Sequence, residues 1–279
     1  MSYRAPHDLA QVLAARAEGG WRVLGGGTDI FPALAAGGAP GPLLDITRAE
    51  GLCGTAETGS GWRIGAATTW SALARAALPP AFDGLRAAAR AVGAVQIQNT
   101  GTIAGNLCNA SPAADGIPAL IALGAEVELA SLRGSRRLAV EAFVIGPRRT
   151  ALEGDEIVTA VHVPTPAPGA RGVFLKLGAR AYQVIAIAMV SAVAWPGPDG
   201  RIAGARVAVG ACSPVARRLP ALEAALAGAA PGEMATRVAR EHLAPLAPID
   251  DVRGTAGYRL EAVQEMLARA LAQLAEAMR

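Results

Sequence analysis

Apolar residues recur with two periods along the chain, and each period predicts one kind of element. Spacings of three and four indicate helices, most clearly where Leu260, Val263, Leu267 and Leu271 follow one another near the end. Further helices are predicted over residues 7–18, from 30 onward, and over 70–77, 81–92, 118–123, 214–227 and 233–243. Short apolar and β-branched runs predict strands over residues 21–24, 42–46, 62–66 and 126–130.

A proline-rich connector, residues 164–169, separates two parts of different pattern. Beyond it, strand-like runs cover residues 172–178, 184–195 and 201–210, and a Pro-Gly-Pro-Asp-Gly turn joins the last two. These runs predict a three-stranded antiparallel sheet with helices after it. We therefore expect an α+β chain in which a larger domain, residues 1–168, precedes a smaller one, residues 170–279.

The composition limits the classes of protein to which the chain can belong. Of its 279 residues, 52% are hydrophobic and 18% are charged, which excludes a disordered chain. The net charge is only +3 and arginines are scattered among acidic residues, so no nucleic-acid groove is indicated.

The longest apolar run, residues 184–195, is shorter than the roughly 20 residues that span a bilayer. The first residues also lack the apolar core of a signal peptide, and we expect a cytoplasmic protein without a membrane span.

Cysteine and histidine are too few and too dispersed for a metal site. The three cysteines, Cys53, Cys108 and Cys212, form no C-x-x-C pair, which argues against a disulfide framework and against an iron–sulfur cluster on this chain. The three histidines are equally scattered, so no zinc site is expected. Any redox metal must therefore belong to a partner chain.

The run Gly25-Gly26-Gly27-Thr28-Asp29 lies between a predicted strand and a predicted helix. Glycine lets consecutive backbone N–H groups converge on an anion, and Thr28 adds a hydroxyl, so the run suits a diphosphate. It lacks the lysine of a P-loop and does not match the G-x-G-x-x-G dinucleotide motif. A strand-to-helix turn that simply needs glycine explains the run equally well, and both interpretations stay open at this point.

A second segment, residues 95–115, has no clean period but is dense in Asn, Gly, Thr and Ser. Together with the glycine run it could bind the two phosphates and the sugar hydroxyls of one extended dinucleotide. Asp115, at its end, can accept a hydrogen bond from a sugar hydroxyl. The alternative is that the two segments are unrelated turns, with Asp115 as the N-cap of the helix predicted at Pro118.

Three stretches together resemble the signatures of one family. They are residues 24–30 (LGGGTDI), 102–115 (TIAGNLCNASPAAD) and 248–259 (PIDDVRGTAGYR), in the family's order and over nearly the whole chain. The family is the FAD-binding medium subunit of molybdenum hydroxylases, which includes those of xanthine dehydrogenase and carbon monoxide dehydrogenase. The resemblance implies a FAD-binding domain of the vanillyl-alcohol-oxidase (PCMH) type in two subdomains, about 1–55 and 56–168. A molybdenum hydroxylase flavoprotein C-terminal domain, residues 170–279, would follow it.

The resemblance also implies a set of cofactor-binding residues. The FAD diphosphate would be held by Val23, Leu24, Gly25, Gly26, Gly27, Thr28, Asp29, Ile30, Thr102, Ile103, Gly105 and Asn106. Asp115 would bind the adenosine half, and a backbone group of Val158 would lie against the isoalloxazine. Lys176 would contact the flavin side, where a cation stabilises reduced flavin; from the residues alone, a lysine in a half-buried strand can equally be a surface residue.

The function implied by the resemblance is electron transfer. A large partner subunit would carry the molybdenum cofactor, a small one would carry two 2Fe–2S clusters, and FAD held non-covalently on this chain would pass electrons to an external acceptor. The assembly would be a dimer of heterotrimers. The alternative is a stand-alone FAD-dependent reductase or oxidase of the same fold.

No residue of this chain is predicted to be catalytic. Tyr182 either covers the flavin or is a buried structural residue. The run Arg148-Arg149-Thr150 is interpreted as a solvated or partner-docking turn.

Overall fold

A small parallel sheet begins the chain in the computed structural model, which describes residues 2–38 and 41–279. Its elements are β1 (Tyr3–Arg4), α1 (Leu9–Ala17), β2 (Arg22–Leu24), α2 (Ile30–Ala35) and β3 (Leu43–Asp45). The strands lie in the order β1-β3-β2, all parallel. Helix α1 begins where the Asp8 carboxylate accepts a hydrogen bond from the Gln11 N–H, and it packs Val12 against Leu44 in a separate apolar cluster.

A five-stranded antiparallel sheet and the helices beside it form the middle of the chain. In chain order the elements of this part are β4 (Thr55–Thr58), β5 (Gly61–Gly65), α3 (Trp70–Arg75), α4 (Asp83–Ala91), α5 (Val95–Thr100), α6 (Ile103–Asn109), α7 (Gly116–Ala122), β6 (Glu126–Ser131), β7 (Gly134–Ala139), α8 (Val140–Phe143), β8 (Val144–Gly146), β9 (Arg149–Thr150) and β10 (Ile157–Pro164). The strand order is β4-β5-β10-β6-β7, with β8 and β9 as a separate pair. The last long strand, β10, is therefore central, and it joins the two hairpins.

The C-terminal part is an antiparallel sheet covered by helices. Its elements are β11 (Arg171–Leu177), β12 (Ala188–Pro196), β13 (Ile202–Gly210), β14 (Arg217–Arg218), α9 (Pro220–Leu226) and α10 (Ala256–Ala277). Helix α10 begins at the Thr255 cap and buries Val263, Leu267 and Leu271 against the sheet, as the spacing of these residues predicts. Among the described residues, no helix combines the length and the apolar character needed to cross a membrane.

The structure corrects two expectations for this part. The sheet has four strands rather than three, because Arg217 and Arg218 pair with Val209 and Ala208 at its edge. A two-residue strand is too short to leave a periodic pattern in the sequence. Residues 233–243 form no continuous α-helix: two 3-10 helices, Pro231–Arg237 and Arg240–Leu243, are separated where the chain becomes extended at Val238.

Residues 95–115 also differ from the irregular segment that their pattern suggests. They contain α5 and α6, which are six and seven residues long, separated by a break at Gly101. The Thr102 hydroxyl caps α6 by accepting a hydrogen bond from the Gly105 N–H at 3.1 Å. Two helices of fewer than two turns on either side of a break show no period over this window.

The two parts on either side of the proline-rich connector share one hydrophobic cluster. Phe174 and Met189 from the C-terminal sheet belong to the same cluster as Phe82 and Leu120 from the middle part. Their backbones also approach closely, since a Cβ on Gly172 would lie 2.1 Å from the Ala81 carbonyl oxygen. The C-terminal sheet is therefore fixed against the middle part of the chain.

The third signature stretch braces this junction through a buried arginine. Arg259, at the start of α10, is 2% exposed. Its guanidinium donates to the carbonyl oxygens of Ile187 and Ala211 and, at 2.6 Å, to the Asp251 carboxylate. The Ala211 N–H in turn donates to the Pro112 carbonyl oxygen at 3.0 Å. The stretch therefore ties the ends of β12 and β13 to the segment that follows α6.

Replacement of Arg259 by leucine should strongly destabilise the chain. The change leaves the Ile187 and Ala211 carbonyl groups and the Asp251 carboxylate without their donor, and we expect the free energy of unfolding to fall by about 3 kcal/mol. Urea denaturation followed by circular dichroism measures it. The matched control is Arg253→Gln, which removes only the more exposed partner of Asp251 and should change stability by less than about 1 kcal/mol. Equal losses in the two variants would show that Arg259 does not brace the junction.

Candidate functional site

The glycine run and the second segment pack directly on each other. A Cβ on Gly26 would lie 1.7 Å from the Thr100 carbonyl oxygen, and one on Gly25 would lie 2.7 Å from Thr102 Oγ1. Gly27 adopts a φ of +72°, which favours glycine. The protein itself therefore requires these glycines: two backbones meet where no side chain fits. Neither of the two interpretations drawn from the sequence included this close approach of two backbones.

The glycine run presents unpaired N–H groups beside this contact. In the described parts of the chain, the amides of Gly26, Gly27 and Thr28 donate no hydrogen bond to another group. The second segment is different, because the N–H groups of Gly105 and Asn106 already donate to Thr102. The first segment can therefore bind an anion through its backbone, whereas the second offers side chains.

Two pockets with six lining residues in common lie over the contact, and we call them the large and the small lobe of one cavity. The large lobe, of about 510 Å³, extends over residues 25–30 and along α6 to Asp115. The small lobe, of about 360 Å³, is lined by Trp21, Ile46, Leu152 and Val158. The two lobes share Val23, Gly25, Thr102, Gly105, Arg22 and Cys108 as common walls. Each lobe lies in the size range of small-molecule and cofactor pockets.

Most of the predicted site residues line this cavity, but three do not. The large lobe is lined by Val23, Gly25, Gly26, Gly27, Thr28, Asp29, Ile30, Thr102, Gly105, Asn106 and Asp115, and the small lobe by Val158. Leu24 and Ile103 are buried in the core instead, at 6% and 0% exposure. Leu24 follows Val23 on a strand, so the two side chains point to opposite faces. Lys176 lies behind Asp115 rather than in the wall.

Asp115 and Lys176 form a buried ion pair. Lys176 Nζ lies 2.8 Å from Asp115 Oδ1 and donates to the Ala91 carbonyl oxygen at 2.9 Å. Burial raises the pKa of Asp115 to about 6, although the nearby Lys176 charge acts in the opposite direction. Asp115 precedes α7, yet its side chain makes no capping hydrogen bond. The N-cap interpretation is therefore wrong, and Lys176 is not a surface residue.

The ion pair places Asp115 and Lys176 at the same end of the cavity. Asp115 lines the large lobe, and Lys176 is in contact with it. Val158 lines the small lobe instead.

One buried acceptor without a partner belongs to a residue that lines the large lobe. Among the described residues, Asn106 Oδ1 is buried and has no hydrogen-bond partner, whereas Asp115 Oδ1 lies 2.8 Å from Lys176 Nζ. A buried acceptor without a donor is costly, which favours a ligand that supplies the donor.

The structure adds residues that the sequence did not point to. Arg148 lines the large lobe from the β8–β9 turn and is exposed, as a solvated turn requires, and its role in partner docking stays a prediction. Asn109 and Ile185 line the same lobe. Asn109 lies within the second signature stretch, and its amide side chain could have identified it from the sequence. No pattern in the sequence indicated that Arg148 or Ile185 would line the cavity. Tyr182 is 69% exposed and is not a buried structural residue.

Within residues 2–38 and 41–279, no group of three or more His, Cys, Asp or Glu side chains is placed to hold a metal ion.

Comparison with known proteins identifies the family. Residues 1–166 match the family model described as the FAD binding domain in molybdopterin dehydrogenase, and residues 174–274 match the CO dehydrogenase flavoprotein C-terminal domain. The nicotine 6-hydroxylase medium subunit of Paenarthrobacter nicotinovorans is 30% identical over 90% of this chain and 89% of its own length. The carbon monoxide dehydrogenase medium chain of Hydrogenophaga pseudoflava is 29% identical over 96% of this chain and 95% of its own.

The folds agree as well. The structure of reconstituted CO dehydrogenase from Oligotropha carboxidovorans contains a chain that superposes with a TM-score of 0.90 at 27% identity, covering 99% of this chain and 98% of that one. The mixed helix-and-sheet architecture is therefore shared over the full length. From both family matches and these relatives, the chain belongs to the family of FAD-binding subunits of molybdopterin dehydrogenases.

Proposed function

We propose that this chain binds one FAD non-covalently in the two-lobed cavity and serves as the electron-transfer subunit of a molybdenum hydroxylase complex. Support comes from the family match and from relatives named as medium subunits of hydroxylases and dehydrogenases. The bound FAD would supply the electron-transfer chemistry, and the chain would bind and orient it.

One structural observation carries the proposal. The residues that line one cavity include Gly26, Gly27 and Thr28, whose amides are unpaired among the described residues, and Asn106 and Asp115, whose side-chain oxygens are acceptors. A diphosphate needs the amides as donors, and sugar or ribityl hydroxyls satisfy the acceptors. A dinucleotide supplies both groups in one molecule, so the residues present fit FAD.

The two lobes differ in size, which supports one assignment of the two halves of FAD. The isoalloxazine, which is larger than adenine, would occupy the large lobe, and adenine would occupy the small, more apolar lobe beside Val158. Asp115 would then face the flavin half rather than the adenosine half, and Val158 would face adenine. Lys176, which is paired with Asp115, would also lie on the flavin side. Its charge would hold the Asp115 carboxylate in position and offset that negative charge near the flavin.

The proposal extends to domains and partners. A FAD-binding domain over residues 1–168, with subdomains at about 1–55 and 56–168, would precede a C-terminal domain over 170–279. The spans of the two family matches, 1–166 and 174–274, support this division. A large subunit with the molybdenum cofactor and a small subunit with two 2Fe–2S clusters would complete a heterotrimer, which would pair into a dimer. Electrons would enter from the clusters and leave to an external acceptor.

Substitution of Gly26 by alanine should release FAD. Because the added Cβ would lie 1.7 Å from the Thr100 carbonyl oxygen, the two segments must separate and the amide donors must move. We expect the Kd for FAD to rise at least about tenfold, which corresponds to 1.4 kcal/mol. Titration of the FAD-free chain, followed by flavin fluorescence, measures the change.

Gly59→Ala is the matched control, because a Cβ at Gly59 meets no atom within 4 Å. It should bind FAD like the wild type, and circular dichroism should show both variants folded. A folded wild-type chain that binds no FAD would contradict the proposed function. Unchanged affinity in Gly26→Ala would contradict only the assignment of the glycine run.

Replacement of Asp115 by asparagine should change how stability depends on pH. The pKa of Asp115 is raised from 3.8 to about 6 in the native chain, so the native carboxyl binds its proton more tightly than the unfolded one. The resulting stability is present at low pH and is lost as the pH rises through about 6. Asparagine cannot titrate, so the variant should escape this loss, which is on the order of 2 to 3 kcal/mol between about pH 4 and pH 7.

Urea denaturation of the FAD-free chain at a series of pH values tests this. The exposed residue Asp199 provides the control, since Asp199→Asn should follow the wild-type curve. Parallel curves for Asp115→Asn and the wild type would show that Asp115 titrates as it does in the unfolded chain.

A further inference from the structure

A strained turn brings Arg148 to the large lobe. Arg148 stands between β8 and β9 with a φ of +59°, and its N–H donates to the Ala110 carbonyl oxygen at 2.9 Å. A glycine would adopt this conformation without strain, so the turn does not itself require an arginine. The turn instead delivers a guanidinium group to the wall of the lobe, facing the glycine run.

A bridge of side chains fixes this guanidinium group. Arg148 Nη1 donates to the Asn109 carbonyl oxygen at 3.3 Å and contacts Asn109 Oδ1. The other end of the same amide, Asn109 Nδ2, donates to Asp29 Oδ1 at 2.8 Å. We name these three residues the 29–109–148 bridge. It joins the end of the glycine run, the end of α6 and the β8–β9 turn, which are distant in sequence.

The charge of Arg148 has no carboxylate partner in the described parts of the chain. The nearest acid in the bridge, Asp29, is bonded to the Asn109 amide and forms no ion pair with Arg148. Arg148 Nε and Nη2 donate to no other group of the described residues. Arg148 therefore places a positive charge with free donors on the same lobe as the unpaired amides of Gly26, Gly27 and Thr28. Arg22, which also forms no ion pair among the described residues, lines this lobe as well, but only Arg148 is held by the 29–109–148 bridge.

We propose that Arg148 is the side-chain cation that pairs with the diphosphate of the dinucleotide, and that Asn109 is the positioning residue that aims it. This inference rests on the proposed function. The amides of the glycine run bind one side of the diphosphate, and the guanidinium group supplies the formal charge that the amides lack. Asp29 holds the Asn109 amide in the orientation in which its oxygen accepts from Arg148.

The neighbouring arginine gives a matched comparison. Arg149 carries the same charge and is exposed like Arg148, but it lines neither lobe. A long-range effect of net charge would be the same for both arginines, whereas direct pairing with the diphosphate requires Arg148.

The test measures Kd on the full FAD-free chain for two ligands, FAD and riboflavin, which lacks phosphate. We expect Arg148→Gln to weaken FAD about tenfold and to leave riboflavin unchanged. Its FAD affinity should also fall less steeply with salt than that of the wild type, because one ionic contact is gone. Arg148→Lys should restore part of the affinity, Asn109→Ala should weaken FAD severalfold, and Arg149→Gln should bind both ligands like the wild type.

Each of the following outcomes would overturn the inference. Equal FAD affinities in Arg148→Gln and Arg149→Gln would show that Arg148 does not contact the diphosphate. Equal losses for FAD and riboflavin would show that Arg148 shapes the lobe without pairing with phosphate. A folded wild-type chain that binds riboflavin but not FAD would remove the proposed function together with this inference.

Discussion

The close contact between the glycine run and the Thr100 carbonyl group determines the rest of the site. Because the two backbones meet where no Cβ fits, residues 25–30 and α6 are held side by side at the floor of one cavity. Among the described residues, the amides of Gly26, Gly27 and Thr28 donate to no group and are available to a ligand. Those of Gly105 and Asn106, in the second segment, donate to Thr102 instead. A larger residue at Gly26 would separate the segments and remove donors and acceptors together. The anion-binding character of the site is thus a result of packing between two segments of this chain.

The C-terminal part completes a cavity that the N-terminal part begins. Lys176 comes from β11, beyond the proline-rich connector, and pairs with Asp115 at the start of α7. Neither residue is stable there alone, because a buried charge needs its counter-charge. Arg259 holds the adjacent strand ends through Ile187 and Ala211, and Ala211 bonds to Pro112. The third signature stretch therefore acts at a distance from the cavity, by fixing the sheet that presents Lys176.

The relatives at similar identity are named for different substrates, nicotine and carbon monoxide among them. Their common feature with this chain is the FAD-binding fold over its full length, and the described cavity contains groups suited to a dinucleotide. Similarity at this level therefore identifies the cofactor-binding chain. The roles of Arg148 and Asn109 concern the same cofactor, so they are independent of which substrate the complex oxidises.

The sequence by itself determined many of the elements outside residues 131–164, the two glycine-rich segments and the family, because these depend on local periodicity and on short motifs. Long elements such as α10 left a clear pattern, whereas α5, α6 and β14 were too short to leave one. Only the tertiary structure decided that Gly26 meets Thr100, that Asp115 and Lys176 face the same end, and that Arg148 reaches the cavity. Each of these contacts joins residues more than 35 positions apart, and the pattern around one residue carries no information on the residue it meets across the fold.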